Sequence, residues 1–310
     1  MQYGRWILPP DTHNCGGPRP NVPNRPKPVF LMVRNIFIAF LCCLAVPVSA
    51  QQSGRSIDAG TWQQFTYDLG SIFGGVGYSY SRPLYWGGQQ WGNFALLVGA
   101  TGGAYLADVP VSDYFIGIRE DVPKFIRDYG WEIGSPANNY MLTGGVYLTG
   151  LFLKDPKLRR TGVLLVASAT SAGFLQQVLK SAIGRARPSS GLGKATFSPL
   201  WPGDNDFHSF PSGHSILAFT NAYAIAKQFR NPWLRAGIYT VGLVPGISRL
   251  WEGKHWLSDV VFSIGISIFT VEAIDRYLDR RYDEKYGQDP DQAQWNLTFG
   301  PGTIGMQYRF

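Results

Sequence analysis

Three polar segments set the expectations for this chain: KSAIGRARP at residues 180–188, PSGH at 211–214 and SRLWEGKHWLSD at 248–259. Each lies next to an apolar stretch. Together they bring fixed cations, two histidines and a carboxylate. A phosphoryl group needs such a set, because its spread negative charge must be met by fixed cations and donors while a nucleophile attacks in line. The segments therefore predict a site that handles phosphate.

The first segment supplies two cations. Lys180 and Arg187 are separated by close to two turns of a helix, so a helix through both would place them on one face and leave Arg185 off that face. Pro188 is expected to end this helix, with Arg187 at its mouth.

The second segment begins a helix. Ser212 is a natural N-cap for the apolar run 216–226, and Gly213 lets the backbone approach a ligand closely. Free backbone N–H groups and the positive end of the helix dipole make this point an anion site before any side chain is counted.

The third segment pairs a histidine with a carboxylate. His255 and Asp259 stand four residues apart, adjacent on one helical face. The carboxylate can hold one imidazole N–H and leave the other nitrogen free to attack phosphorus. Arg249 can grip two phosphoryl oxygens. Each residue alone has an ordinary structural explanation, and the ordered combination is what favours a site. For His208, in the loop 204–210, a solvated histidine is expected over a substrate ligand.

The complete pattern K-x6-RP, PSGH, SR-x5-H-x3-D resembles the type 2 phosphatidic acid phosphatase (PAP2) family. That family takes in bacterial nonspecific acid phosphatases and shares its core with the vanadium haloperoxidases. The resemblance implies an all-α fold, a PAP2-type bundle of about six core helices whose ends converge on one pocket. It also implies a phosphatase for phosphomonoesters or diphosphates, with lipid substrates of the phosphatidate or undecaprenyl diphosphate type favoured over small soluble phosphoesters.

The resemblance also assigns roles. His255 would be the nucleophile that forms a phosphohistidine, Asp259 would orient it, and His214 would protonate the leaving group and later activate water. The phosphoryl oxygens would be held by Lys180, Arg187, Ser212, Gly213 and Arg249. No metal or other cofactor is implied, because these cations neutralise the charge that Mg²⁺ neutralises elsewhere.

Two alternatives remain open. A vanadium-dependent haloperoxidase would use nearly the same residues to hold vanadate as its cofactor. A non-catalytic envelope protein that binds a phosphorylated ligand is the other, although binding alone would need neither His255 nor Asp259.

The N-terminus indicates export. Residues 1–31 hold seven prolines and no apolar periodicity, and are expected to be disordered or an upstream start-site extension. Residues 32–50 combine Arg34, the apolar run 36–46 and Val48-Ser49-Ala50, the features of a secretory signal peptide cleaved near Ala50. The expected location is the periplasm or cell envelope. All three cysteines lie before the cleavage site, which leaves no disulfide in the exported chain.

Charge excludes one class of partner. The whole chain carries +7, but residues 1–50 hold Arg5, Arg19, Arg25, Lys27 and Arg34 against Asp11, so the remainder carries +3. A nucleic-acid partner therefore has no basis.

The remaining chain is predicted to be helical at 94–107, 139–153, 160–186, 215–229, 233–248 and 257–282, with loops at Pro110 and at Asn231-Pro232. The resemblance places a PAP2-type phosphatase domain at 93–286, which contains these helices. A flanking segment at 51–92 is expected to add a helix or two. In the tail 287–310, apolar residues alternate about Gly300-Pro301-Gly302, which predicts a small docked hairpin.

Membrane insertion is judged from the lengths of the apolar segments. Most apolar segments run for only about 12 to 16 residues, short of the 20 that a spanning helix needs, and the mean hydropathy is −0.08. These lengths favour a soluble or peripherally bound domain, with residues 161–179 and 260–274 as the least clear segments. An integral inner-membrane protein is the alternative. No oligomeric state is predicted.

Overall fold

The computed structural model describes residues 60–200, 203–286, 294–300 and 303–309, with side chains as far as Tyr282. This part of the chain contains nine α-helices: α1 (Thr61–Ser81), α2 (Gly88–Leu106), α3 (Asp108–Gly117), α4 (Lys124–Ile133), α5 (Pro136–Phe152), α6 (Pro156–Ile183), α7 (Gly213–Ala226), α8 (Pro232–Trp251) and α9 (Leu257–Tyr286). Two strands follow, β1 (Gln294–Gly300) and β2 (Thr303–Arg309).

The predicted all-α class is confirmed, and each of the six predicted helices is present as α2 and α5 to α9. The predicted hairpin is also confirmed: β1 and β2 pair antiparallel, from Gln294 opposite Arg309 to Gly300 opposite Thr303. Its docking onto the helices stays a prediction. The segments 1–31 and 32–50, with the expected signal peptide, lie outside the described residues.

Side-chain caps explain why several helices begin where they do. Asp155 Oδ1 accepts from the Leu158 N–H at 2.8 Å ahead of α6, and Asn231 Oδ1 accepts from the Trp233 N–H at 2.9 Å ahead of α8. A proline follows each cap at the first helical position, where its missing N–H costs nothing. The predicted loop at Asn231-Pro232 is therefore the start of α8.

Two short helices were not predicted. The expected loop at Pro110 is wrong, because Pro110 lies in the first turn of α3, where no backbone donor is required. Helix α4 has only ten residues, and its apolar positions are interrupted by charge. The expected helix in the flanking segment is α1.

Helix α6 runs through the centre of the bundle, packed against α1, α5, α7 and α9. Its fully buried Val163, Leu164 and Leu165 meet Val146 and Leu151 of α5 and Ile274 and Leu278 of α9. This core fixes the end of α6 beside the first turns of α7 and α9, which carry the motif residues.

Two described helices, Pro156–Ile183 and the part of α9 at Leu257–Tyr282, are long and apolar enough to cross a membrane. The bent pair α2 and α3 would make a third if it formed one span. The two helices contain the segments 161–179 and 260–274.

Candidate functional site

The C-terminal end of α6 separates the two cations of the first segment. The helix ends at Ile183, because Gly184 adopts a left-handed conformation (φ 58°) and its N–H donates to the Lys180 carbonyl at 3.1 Å. A side chain on Gly184 would meet the Ser198 carbonyl oxygen at 1.7 Å. Arg187 lies beyond the helix in extended backbone (φ −78°, ψ 154°). The prediction that Lys180 and Arg187 share a helical face is therefore wrong, and a loop carries Arg187 to the site.

The first turn of α7 has the predicted N-cap. The fully buried Ser212 accepts through Oγ from the Ser215 N–H at 3.5 Å and shares a hydrogen bond with the Ser215 hydroxyl at 2.8 Å. Its own N–H donates to Ser263 Oγ at 2.9 Å. Because Ser212 Oγ accepts in these contacts, its hydroxyl proton remains available to a ligand.

His255 is buried just before α9, with a defined tautomer. Its Nδ1 lies within hydrogen-bond distance of the Ser209 backbone carbonyl, which can only accept. Nδ1 therefore carries the proton and Nε2 keeps its lone pair. Burial, the largest cause, lowers the pKa of His255 to about 4, with Lys180 and Arg187 adding to the shift. The imidazole is neutral at neutral pH, as a nucleophile must be.

Asp259 acts on His255 at close range and through Ser209. Its Oδ2 lies 3.8 Å from His255 Nδ1, an ion-pair distance rather than a hydrogen bond. The same oxygen accepts from Ser209 Oγ at 2.5 Å and from the Trp256 N–H at 2.8 Å. The carboxylate thereby fixes the residue whose carbonyl holds the imidazole.

A second buried layer holds Asp259. Arg185 donates to Asp259 Oδ1 at 2.6 Å and to Asp108 Oδ2 at 2.7 Å, and Asp108 also accepts from the Ser258 N–H at 2.8 Å. Arg185 and Asp108 are buried. Sequence reasoning missed Asp108 and Ser209 and set Arg185 aside as off the helical face. Arg185 lies two residues before Arg187, at an unspecified position of the motif, so spacing gave no signal for it.

His214 and Arg249 lie together against Trp131 of α4. The Arg249 guanidinium carbon is 4.7 Å from the Trp131 ring centroid, and the His214 ring is 5.7 Å from it. Burial, the largest cause, lowers the pKa of His214 to about 3, and Arg249, His255 and Lys180 add to the shift. Burial likewise lowers the pKa of Arg249 to about 10, against the opposing effect of Glu252.

Three motif side chains share one property. Arg187 Nε, His214 Nε2 and Arg249 Nη2 are buried and have no hydrogen-bond partner among the described residues. Buried polar groups are normally satisfied, and the two guanidinium nitrogens are donors, so they indicate a bound ligand with several acceptor atoms. An oxyanion supplies them. His214 Nε2 becomes a third donor when the imidazole is protonated. No group of three His, Cys, Asp or Glu side chains that could hold a metal occurs in the same part of the chain.

The electrostatic couplings bring the predicted site residues into one cluster. Lys180 and Arg187 act on His255, and Arg249 and Lys180 act on His214. Ser212 and Gly213 begin the helix that carries His214. The arrangement can therefore hold an oxyanion between cations, with a nucleophilic nitrogen on one side and a second imidazole on the other.

The all-α bundle gathers cations and two histidines at its helix ends, an arrangement that suits a protein that handles an oxyanion. Residues 161–283 match the PAP2 superfamily. The motif segments 180–188, 211–214 and 248–259 all lie within the residues that are similar to this superfamily.

Relatives are similar over part of their length. The chain is 37% identical to a lipid A 1-phosphatase of Porphyromonas gingivalis over 82 residues (26% of this chain, 18% of the relative). It is 36% identical to a lipid A 1-phosphatase of Rhizobium johnstonii over 105 residues (32% and 41%). An undecaprenyl-diphosphatase of Sulfolobus acidocaldarius is 27% identical over 145 residues (47% and 62%). The chain thus spans less than half the length of either lipid A 1-phosphatase.

A solved structure, a transmembrane PAP2 type phosphatidylglycerolphosphate phosphatase from Bacillus subtilis, is 21% identical with a TM-score of 0.44. The match covers 63% of this chain and 95% of that one.

Replacement of Arg185 tests the buried layer. Arg185→Ala leaves Asp108 and Asp259 buried without their shared cation, and breaking such a pair costs about 3–5 kcal/mol of unfolding free energy. Denaturant unfolding in detergent measures the loss. The control is Arg119→Ala, which removes a half-exposed pair with Glu120 and is worth less than about 1 kcal/mol. Equal stability of the two variants would contradict the assigned role of Arg185.

Proposed function

We propose that the protein hydrolyses phosphate monoesters or diphosphates of lipids through a phosphohistidine on His255, without a metal ion. The observation that carries this proposal is the set of buried atoms on Arg187, His214 and Arg249 that have no hydrogen-bond partner among the described residues. They lie in one cluster with a neutral histidine whose Nε2 keeps its lone pair.

In the first half-reaction, His255 Nε2 attacks phosphorus and the bond from phosphorus to the leaving oxygen breaks. His214 Nε2 gives its proton to that oxygen, so an alcohol or a phosphate leaves. Lys180, Arg187 and Arg249 stabilise the charge on the equatorial oxygens, together with the Ser212 hydroxyl and the Gly213 N–H. As the P–N bond forms, positive charge on the imidazole is stabilised by the Ser209 carbonyl and the nearby Asp259.

In the second half-reaction, His214 takes a proton from water, the water oxygen attacks phosphorus, and the P–N bond breaks. Inorganic phosphate leaves and both histidines return to their starting states. The cycle consumes one water and needs no oxidant, reductant or metal.

The substrate class is proposed from two supports. The relatives named above as lipid A 1-phosphatases and an undecaprenyl-diphosphatase carry names that specify phosphorylated lipids. In addition, Lys180 lies at the end of a long apolar helix, where a phosphate headgroup would meet the site if its lipid tail stayed in a bilayer.

We also propose that the protein is integral to the cell envelope, which replaces the soluble or peripheral location favoured by segment lengths. The stretch of α6 between Arg160 and Lys180 spans about 28 Å, close to the thickness of a bilayer's hydrocarbon core. Large apolar side chains point outward from several helices, among them Leu96 (73% exposed), Phe152 (72%) and Phe174 (62%). Export through a signal peptide cleaved near Ala50 remains part of this proposal.

Substitutions of the two histidines are predicted to have different effects on esters with good and poor leaving groups, in assays that contain EDTA. His255→Ala should abolish turnover of every ester, because no phosphohistidine can form. His214→Ala should slow an alkyl phosphate about 10²–10⁴-fold more than p-nitrophenyl phosphate, whose phenolate leaves without a proton. Phosphate release in detergent is measured. Equal losses on both esters would overturn the assignment of His214, and activity restored only by Mg²⁺ would overturn the metal-free mechanism.

Anion binding is predicted to raise the pKa of His214. With a pKa of about 3, His214 is neutral in the unliganded site at neutral pH, yet an acid must carry a proton. A bound dianion offsets the positive field of Arg249 and Lys180, so binding should take up a proton. Calorimetry with sulfate at pH 5.5, in buffers of different ionisation enthalpy, measures this uptake. His214→Gln should reduce it, and equal uptake in both proteins would show that another group titrates.

Membrane integration predicts that the protein stays in the pellet through carbonate washing and is released by detergent. N-terminal sequencing of the extracted protein should begin at Gln51. Recovery in the carbonate supernatant would restore the soluble alternative, and a sequence that begins at Met1 or Met32 would show that no cleavage occurs.

A further inference from the structure

Helix α4 lies outside the residues matched to the superfamily and carries none of the motif residues. It nevertheless contacts both His214 and Arg249 through Trp131. Four features of this short helix show that it is held in one place against the site.

The first feature is a pair of close approaches. A side chain on Gly130 would lie 2.5 Å from Ser248 Cβ, and one on Gly134 would lie 2.5 Å from His214 Cδ2. Real Cβ atoms do not approach so closely. The two glycines therefore let α4 pack directly on the residue before Arg249 and on the imidazole of His214.

The second feature is a hydrogen bond to α8 at the point where Pro245 removes a backbone donor. Pro245 has no N–H, so the Val241 carbonyl four residues earlier lacks its usual helical donor. The Tyr129 hydroxyl lies 3.4 Å from this carbonyl and donates to it. The docking of α4 thus uses an acceptor that the proline leaves open.

The third feature closes the C-terminal end of α4. Ser135 Oγ and Asn138 Nδ2 both donate to the Glu132 carbonyl at 2.8 Å, and Asn138 Nδ2 also reaches Glu132 Oε2 at 2.9 Å. The Ser135 N–H donates to the same carbonyl at 3.2 Å. Together these bonds fix the chain at Gly134.

The fourth feature is the contact with the imidazole. His214 makes a hydrogen bond to the Trp131 backbone, while His214 Nε2 has no partner among the residues described. The bond therefore involves Nδ1, and because it raises the pKa of His214, the Trp131 carbonyl is the acceptor. This leaves Nε2 as the nitrogen that faces the bound group.

We propose that α4 is a positioning element for the site, in which the Trp131 carbonyl orients His214 and the Trp131 ring supports the guanidinium of Arg249. The assignment of an acid rests on the proposed function, whereas the support of Arg249 applies to any bound oxyanion. Trp131 acts through these two residues and makes no bond to the phosphoryl group.

Gly134→Ala tests the orientation of His214. The new methyl group should displace the imidazole, and kcat/KM for an alkyl phosphate should fall about 10- to 100-fold more than for p-nitrophenyl phosphate, a part of what a general acid contributes. Gly144→Ala is the matched control, because a side chain on Gly144 meets nothing within 4 Å. Equal losses on the two esters, or a Gly134→Ala variant with the kinetics of Gly144→Ala, would overturn the orienting role.

Trp131→Ala tests the support of Arg249 without catalysis. Sulfate affinity, measured by calorimetry on the detergent-purified full chain, should fall about 3- to 30-fold, since a guanidinium loses its aromatic partner. Trp131→Phe should retain most of the affinity, and Trp233→Ala, which removes a largely exposed indole (84%) from α8, should retain all of it. Unchanged sulfate affinity in Trp131→Ala would overturn the supporting role.

The two measurements separate failure of this inference from failure of the proposed function. If the wild-type protein binds sulfate but hydrolyses no phosphoester, the phosphatase proposal is wrong, and the sulfate series still decides the role of Trp131. If the wild type hydrolyses both esters and the α4 variants behave as their controls, only the inference fails.

Discussion

The site depends on one fully buried carboxylate. Asp259 Oδ1 accepts a hydrogen bond from Arg185. Its Oδ2 accepts hydrogen bonds from Ser209 Oγ and from the Trp256 N–H. An isolated carboxylate would be very costly at this depth, and the arginine and hydrogen bonds offset that cost. The hydrogen bond from Ser209 Oγ to Asp259 fixes the position of Ser209. The Ser209 carbonyl then fixes the tautomer of His255, and this tautomer leaves the lone pair on Nε2. A single buried charge therefore sets the position and the tautomer of His255, on which the proposed reaction depends.

The clustered cations of the site repel one another. Lys180 lowers the pKa values of both histidines, Arg187 lowers that of His255 and Arg249 lowers that of His214. The mutual repulsion of these cations works against folding. The scaffold counters this by placing Lys180 in the last turn of α6, where the helix dipole favours a cation, and His214 in the first turn of α7, where the dipole favours an anion. A bound phosphoryl group relieves the repulsion. The site is thus organised for a dianion before one arrives.

The motif residues and the six main helices could be predicted because both are local properties: residue order, apolar periodicity, the N-cap at Ser212 and the interruption at Asn231-Pro232. The buried residues that hold Asp259, and helix α4, could not be predicted in this way. Arg185 appeared to point away because the prediction extended α6 to Ala186, whereas Gly184 ends the helix and turns Arg185 inward. Asp108 comes from a helix far away in the sequence, and only the tertiary fold shows that Ser258 and Arg185 share it. Helix α4 is amphipathic but has only ten residues, and it was overlooked because the prediction relied on longer apolar runs.

The prediction of a soluble or peripheral domain depended on the same local reasoning, and in particular on where the apolar segments were taken to end. Counting apolar residues between charges shortens every segment whose terminal charge belongs to the site, as Lys180 does in α6. Ser168 and Ser171 also lower the hydropathy of α6, yet both are buried inside the bundle, where they face other helices and not the surroundings. The mean hydropathy of a helix that lines a buried polar site is therefore lower than that of its outward-facing side chains alone. Exposed side chains such as Phe174 are the better guide to what surrounds it, since only they would touch a bilayer.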